Sequence, residues 1–326
     1  FSGTSQQSIP NSFTGSNGFY NLILDNMNGL LLTDSVDITN EITFTNGIIH
    51  TADSSVLYLS NTSSNVVNGS GSNSYVEGPL DKNIIANGSF EFPIGDGGKL
   101  GKLDLYNTGT SGTQRWQAQY YYQNPYDGGY YPDSTDANLA TVSQEEYWRV
   151  EGPAGAQSYV RIYWDNHSDI GNLTSDPVNE LRLAEWDFMN TQWVEAGSNI
   201  NTTNKTATSD NSRSLDEHPY TFGTTSYAAP TCDIEAIQAD ICEGDSATLR
   251  FELTGESPWD TLIYNHPAIG NDTLVNIDSS ITTIDTLTTP GDYYVVKLKD
   301  ANGVSGTDLG GTVTVEIESI PSPVID

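Results

Sequence analysis

The sequence predicts an all-β protein built from three serial parts. Apolar residues come in short runs bounded by Asn, Asp, Gly or Ser, the residues that turn most cheaply. No 3.6-residue period survives beyond a turn, which argues against helices. Further along, longer runs alternate apolar and polar residues with the period of two that a half-buried strand requires. At 326 residues the chain favours two or three domains over a single core.

The first part, residues 1–78, reads as serial short strands. They are Phe19-Tyr20-Asn21-Leu22-Ile23-Leu24, Leu30-Leu31-Leu32, Val36-Asp37-Ile38, Ile42-Thr43-Phe44, Ile48-Ile49 and Val56-Leu57-Tyr58-Leu59. Strands this short cannot bury a face alone, so they must stack. The residues themselves leave both a β-solenoid and an antiparallel meander open.

A junction follows between Ser74 and Tyr106. Gly78-Pro79 and Phe92-Pro93-Ile94-Gly95-Asp96-Gly97-Gly98 combine the fixed φ of proline with the free φ of glycine, as sharp corners require. Residues 79–229 then carry period-two strands: Arg115 to Tyr122, Tyr147 to Val150, Ser158 to Trp164, Glu180 to Trp186 and Gln192 to Val194. Such strands between Gly/Pro/Asn clusters predict an antiparallel β-sandwich. Ala229-Pro230 marks a linker, and residues 230–326 have the length and strand spacing of an Ig sandwich. Ile320-Pro321-Ser322-Pro323-Val324 reads as a stiff extended connector.

Several stretches resemble one family. "FYNLILDNMNGLLLTDSVDITNEITFTNGIIHTADSSVLYL", "SYVEGPL" with "FEFPIGDGGKLGKLDL", "YVRIYWDNHSDIG" and "LRLAEWDFMNTQWVEAGS" are similar to large secreted surface proteins of the Bacteroidetes exported by the type IX system. "ICEGDSATLRFELTGESPW" and "TPGDYYVVKLKDANGVSG" resemble the Ig-like or PKD-like repeats of gliding-motility-type adhesins. The resemblance favours the solenoid for residues 1–78, closed by the sandwich and followed by the repeat. It implies an extracellular, non-enzymatic adhesin, stalk or filament segment. Its partners would be neighbouring repeats of the same polypeptide, copies of itself, glycans or cell surfaces. Many such repeats carry a Cys where this chain has Val304.

Composition narrows the classes further. Twelve Lys+Arg against 43 Asp+Glu give a formal charge of -31. No basic patch exists to displace counterions from nucleic acid or to meet an anionic membrane. No apolar run approaches the ~20 residues of a membrane span. The chain opens at Phe1, without an initiating Met or a signal peptide, and is expected to be a processed form or a piece of something longer.

The four histidines lie in separate turns, with no catalytic motif around them. Glu145-Glu146 could suggest a glycosidase pair, but adjacent strand residues point to opposite faces. The reading is therefore non-enzymatic, with no cofactor required. Calcium is the better chemical candidate, because Asp/Asn loops supply the oxygen ligands it takes. The loops concerned hold Asp96; Asp165 and Asp169; and Asp300, Asn302 and Asp308. Tyr126, Tyr130 and Tyr131, set among Pro and Gly, are the candidate platform for a sugar ring or a partner surface. Cys232 and Cys242 lie close enough in sequence for a local disulfide in a secreted protein. Asp-Ser/Thr followed by a small or aliphatic residue resembles the O-glycosylation site of the same secreted proteins, at Ser35, Ser134, Ser246, Thr261, Thr273 and Thr286.

Overall fold

The computed structural model describes residues 1–52, 54–109, 112–214, 218–227, 229–306 and 308–318. It is almost entirely β, with about four turns of solenoid-like stacking followed by sandwiched sheets. The C-terminal connector around Pro321 and Pro323 lies outside the described residues.

Coil 1 carries β1 (Gln7–Ile9) and β2 (Phe19–Asp25), and coil 2 carries β3 (Leu30–Leu32) and β4 (Val36–Asn46). Coil 3 holds β5 (Ile49–Thr51), β6 (Leu57–Leu59) and β7 (Val67–Asn68); coil 4 holds β8 (Val76–Glu77) and β9 (Leu80–Ile85). The strands of successive coils pair in parallel, so matching residues stand in columns. Gln7, Leu30, Ile49 and Val76 form one column, and Phe19, Ile38, Leu59 and Lys82 another. Parallel pairing decides for the solenoid over the meander. Each column buries its aliphatic side chains against the coil above and below, which no single coil could do alone. Polar turns stack as well: Asn40 Nδ2 donates to Asn21 Oδ1 at 2.7 Å, and Asn61 Nδ2 to the Asn40 carbonyl at 3.0 Å. Gly47 is required where two coils touch. Its φ is +108°, and a Cβ there would lie 2.0 Å from the Asn26 carbonyl oxygen.

After β10 (Ser89–Phe92), β11 (Ile94–Asp96) adds a last parallel strand beside β8. Then β12 (Lys99–Leu100) folds back antiparallel on β11, followed by β13 (Leu103–Asn107) and β14 (Thr113–Tyr121). The junction turns on β9, which is parallel to β6 on one side and antiparallel to β14 on the other. Lys82 sits on this strand, inside the column that Ile38 and Leu59 begin. It is fully buried, its Nζ donating to the carbonyls of Asn61 and Asn83 (the latter at 2.7 Å), 5.1 Å from the Phe90 ring centre. Burial pushes its pKa down to about 8.

The remaining strands of this unit are β15 (Thr141–Val142), β16 (Tyr147–Glu151), β17 (Gln157–Tyr163), β18 (Leu181–Asp187), β19 (Gln192–Gly197), β20 (Asn199–Asn201), β21 (Thr206–Thr208), β22 (Arg213–Ser214) and β23 (His218–Thr224). One face of the sandwich is the sheet β10-β13-β17-β21-β20. The other, in the order β19-β18-β23-β16-β14-β9-β6-β4-β2, continues into one of the two sheets of the coils, while β1, β3, β5 and β8 form the second. A single hydrophobic core accordingly runs from Ile9 to Phe222. The expected boundary at 78/79 falls just before β9, the strand across which one sheet passes from parallel to antiparallel pairing, and residues 1–226 form one compact unit.

The second compact unit begins at Tyr227, close to the expected linker. It holds β24 (Cys232–Gln238), β25 (Asp240–Cys242), β26 (Ala247–Leu253), β27 (Trp259–His266), β28 (Gly270–Ile277), β29 (Ile281–Leu287), β30 (Gly291–Lys299) and β31 (Thr312–Glu318). The sheets β24-β26-β29 and β25-β31-β30-β27-β28 enclose a core of Phe251, Trp259, Leu262, Tyr264 and Tyr293. This is the sandwich its length and strand spacing predicted. The expected disulfide is absent: both cysteines are free. Cys232 pairs into the three-stranded sheet opposite Leu253, whereas Cys242 pairs into the five-stranded sheet opposite Glu318. Closeness in sequence was misleading because the chain changes sheets between them. Burial, with the Asp233 charge, pushes the Cys232 thiol up to about 12.

Candidate functional site

On β14, Trp116, Ala118 and Tyr120 point into the core, and Gln117, Gln119 and Tyr121 point outward. The chain then loops back over that outer face, from Tyr122 to Ser143. Tyr121 stacks on Tyr147 with ring centres 4.6 Å apart. Asn124 caps the short turn Pro125–Gly128, its Oδ1 accepting the Tyr126 N–H at 2.9 Å. Backbone bonds from Trp193 N to Ser134 O (2.7 Å) and from Asp136 N to Trp193 O (2.8 Å) pin the loop to β19.

This folding divides the three candidate tyrosines. Tyr130 is only 8% exposed and packs edge-on against Tyr147, Trp186 and Trp193 at 5.5–6.3 Å. It belongs to a small outer core with Leu139 and Val142, not to a binding surface. Tyr126 and Tyr131 stay 59% and 53% exposed, with rings edge-to-face at 5.5 Å. Phe188 and Met189, at the turn between β18 and β19, are exposed as well, and Phe188 reaches the Tyr130 ring at 6.2 Å. The turn is held by Asp187, whose carboxylate accepts from Met189 N (2.8 Å) and Asn190 Nδ2 (2.7 Å). Those bonds hold its carboxyl below the ordinary range. The result is a set of exposed apolar side chains, Tyr126, Tyr131, Phe188 and Met189, supported from beneath by buried rings. Asp127, Asp133 and Asn190 lie beside them in sequence. Aromatic faces beside such polar groups can stack on a sugar ring and hydrogen-bond its hydroxyls.

The inner face holds two buried carboxylate networks. Tyr120, Trp148, Tyr220 and Glu185 are cross-strand neighbours on β14, β16, β23 and β18. Tyr120 donates to Glu146, and its hydroxyl lies 3.0 Å from His167 Nε2, while His167 Nδ1 meets Asp165. Glu185 accepts from the Tyr220 hydroxyl (3.2 Å), and His218 Nδ1 and Arg213 Nε lie 2.8 and 3.3 Å from its carboxylate as ion-pair contacts. Burial and the adjacent carboxylates push both phenols far up. Glu146 is fully buried while Glu145 is exposed, so they do not form a glycosidase pair. Tyr120, Glu146, Tyr220 and Glu185 lie inside the fold, where they hold strands and loops in place. Trp148 belongs to the same layer, its Nε1 donating to the Gly101 carbonyl at 2.8 Å.

The candidate calcium ligands do not converge. Among the described residues, no group of three or more His, Cys, Asp or Glu could hold a metal ion. Asp96 accepts the Tyr122 N–H at 3.0 Å, and Asp165 is engaged with His167. Asp169 accepts from Asn172 at 2.6 Å. Asp300 is buried and accepts the Val304 N–H at 2.9 Å, Asn302 lies in the turn it closes, and Asp308 accepts from Gly310 at 3.4 Å. Asp165, Asp300 and Asp308 are turn caps that satisfy local backbone donors, whereas Asp96 ties its loop to the distant Tyr122 N–H and Asp169 holds the Asn172 side chain.

Of the six candidate glycosylation positions, Thr273 and Thr286 are exposed. Ser35, Ser134, Ser246 and Thr261 are half-buried. Ser35 Oγ already accepts the Val56 N–H, and Ser134 Oγ donates to the Thr191 carbonyl.

No protein-family model matches the chain, and no curated protein matches it.

Proposed function

We propose that this chain is a non-enzymatic structural and adhesive module of a large secreted cell-surface protein. The observation that supports this most is the unbroken sheet from the first coil through β9 to β19, over one core. A force applied along it meets a continuous hydrogen-bonded ladder, with no hinge between coils and sandwich. The resemblance to type IX-exported surface proteins of the Bacteroidetes supports an extracellular setting, and so does the high negative charge, which favours solubility.

Single-molecule extension tests this role. Residues 1–226 are expected to unfold in one event, releasing about 800 Å of chain at roughly 3.6 Å per residue. Stepwise yielding of the coils at low force would remove the mechanical role.

A second reading, binding of neutral polysaccharide, is favoured by one observation: the exposed edge-to-face pair Tyr126 and Tyr131. Tyr126→Ala with Tyr131→Ala is expected to lower retention on a polysaccharide affinity gel about 10-fold, with the melting temperature unchanged because neither ring is core. Unchanged retention across a panel of glucans, mannans and xylans would discard it.

A further inference from the structure

We infer that the outer edge of β28, in the second unit, docks against β28 of a second copy of this chain, joining two five-stranded sheets into one across a two-fold axis. A sheet edge leaves main-chain groups unpaired, and proteins guard such edges by covering, shortening, bulging or charging them. The two sheets of this unit end in β24, β29, β25 and β28. β24 is covered by its own chain: Thr231 bridges Asp308, and Cys232 N donates to the Asp308 carbonyl at 3.0 Å. β25 is only three residues long. β29 bulges between Ile284 and Leu287, where two residues oppose one of β26. Among the described residues, β28 carries none of these devices.

β28 is eight residues long and holds no Lys, Arg or Pro. Val275 is 59% exposed, and Ile269, just before the strand, 68%. Its one charged side chain, Asp272, is tied down. The carboxylate accepts from the Tyr264 hydroxyl at 2.9 Å and from Thr273 N at 2.8 Å. The second of these bonds also tells which main-chain groups are free. Thr273 N–H turns to a side chain and not to β27, so Thr273 faces the open edge, and by alternation Asn271 and Val275 face it too. Asn276, at φ +52°, ends the regular stretch.

Two observations favour a second copy as the occupant. The first is charge. Residues 261–277 contain one charged side chain, Asp272, in a chain with 43 Asp+Glu and 12 Lys+Arg. Two copies that repel over most of their surface can therefore approach along this strand.

The second is that the edge complements itself. An antiparallel pairing centred on Thr273 sets Thr273 against its copy, Asn271 against Val275 and Asp272 against Leu274. Every edge-facing N–H then meets a carbonyl, with Thr273 N–H leaving the Asp272 carboxylate for the facing strand. No charge stands directly opposite its like, and a Thr–Thr pair at the centre is a favourable one. The whole ladder lies between Asn271 and Val275, before the strand loses its regular course at Asn276. Because the pairing uses up the same edge on both copies, it closes at two and does not propagate.

Sedimentation velocity of the full chain over a concentration series tests this. A monomer–dimer equilibrium is expected, with no larger species. Thr273→Glu, at an exposed residue, opposes two carboxylates on the axis and is expected to weaken the dimer by at least about 10-fold. Val275→Pro removes an edge N–H that β27 does not use and is expected to weaken it similarly. Val178→Lys, at an exposed residue of the first unit, is expected to leave it intact. A wild-type monomer at every concentration, growth beyond two copies, or a Thr273→Glu variant that dimerises as well as wild type would overturn the proposal.

Discussion

Gly101→Ala is expected to destabilise the first unit by about 3–4 kcal/mol, more than a single methyl group usually costs. The added Cβ would lie 2.2–2.5 Å from three ring atoms of Tyr120. That ring cannot step aside, since Glu146 and His167 hold its hydroxyl and Trp148 packs 5.0 Å away. The Gly101 carbonyl is also fixed, because it accepts the Trp148 indole N–H. Accommodation would pull Tyr120 off Glu146 and leave a buried carboxylate short of a donor. For a unit of this size the melting temperature should drop by roughly 10 °C. A thermodynamic cycle identifies the cause. In a Tyr120→Leu background the same change should cost at most about 1 kcal/mol. Equal costs in both backgrounds would place the strain elsewhere.

The second large effect is a pH dependence set by Lys82. Its folded pKa is about 8 against an ordinary 10.5. Between those values the unfolded chain holds the proton and the folded chain does not, so stability rises with pH across that window. Below pH 8 both states are protonated, and the cost of burying the ammonium is carried in full. The recovery from pH 8 to 10.5 should be about 3 kcal/mol. Buried tyrosines act in the opposite direction at higher pH. Tyr75 and Tyr163, pushed up to about 12, cost stability as pH climbs from 10 to 12. The comparison therefore has to be made against Lys82→Met, in which only the lysine contribution is gone. Urea unfolding at pH 7.5, 9 and 10 should show wild type gaining on the variant at each step. Parallel profiles would mean that the ammonium is better solvated than its surroundings suggest.

Lys82 also shows what the sequence could and could not reveal. Leu80, Lys82 and Ile84 alternate in phase, so a strict period-two reading already puts the lysine inside. Composition masks this, because lysine is rarely buried. The short strands of residues 19–59 were legible from their turn residues. Their parallel stacking was not, since local sequence carries no record of pairing between segments 20 residues apart; only the family resemblance favoured it. The continuity of sheet and core through residue 79 was hidden for the same reason, as was the separation of Cys232 and Cys242 into two sheets.

At the candidate site, Tyr130 and Tyr131 are neighbours with opposite fates, and an irregular loop has no period to tell them apart. Phe188 and Met189 did leave a signal. Two large apolar residues in the turn Asp187-Phe188-Met189-Asn190 stand where a tight turn normally places polar ones, a mark of exposed apolar surface. Glu146 gave none, because a buried glutamate reads like any other.

The position of β23 bears on when the molecule can finish folding. It is the last strand of the first unit in the chain, yet it lies in the middle of the large sheet, between β16 and β18. The β18–β19 hairpin, though made earlier, joins that sheet only through β23. As the chain emerges from the ribosome N-terminus first, the coils can stack strand by strand. The sandwich meanwhile waits with two inner edges bare. Until residues 218–224 appear, β16 and β18 each present an unsatisfied ladder, the state most exposed to wrong partners. The final strand satisfies both at once, so it closes the unit in one step.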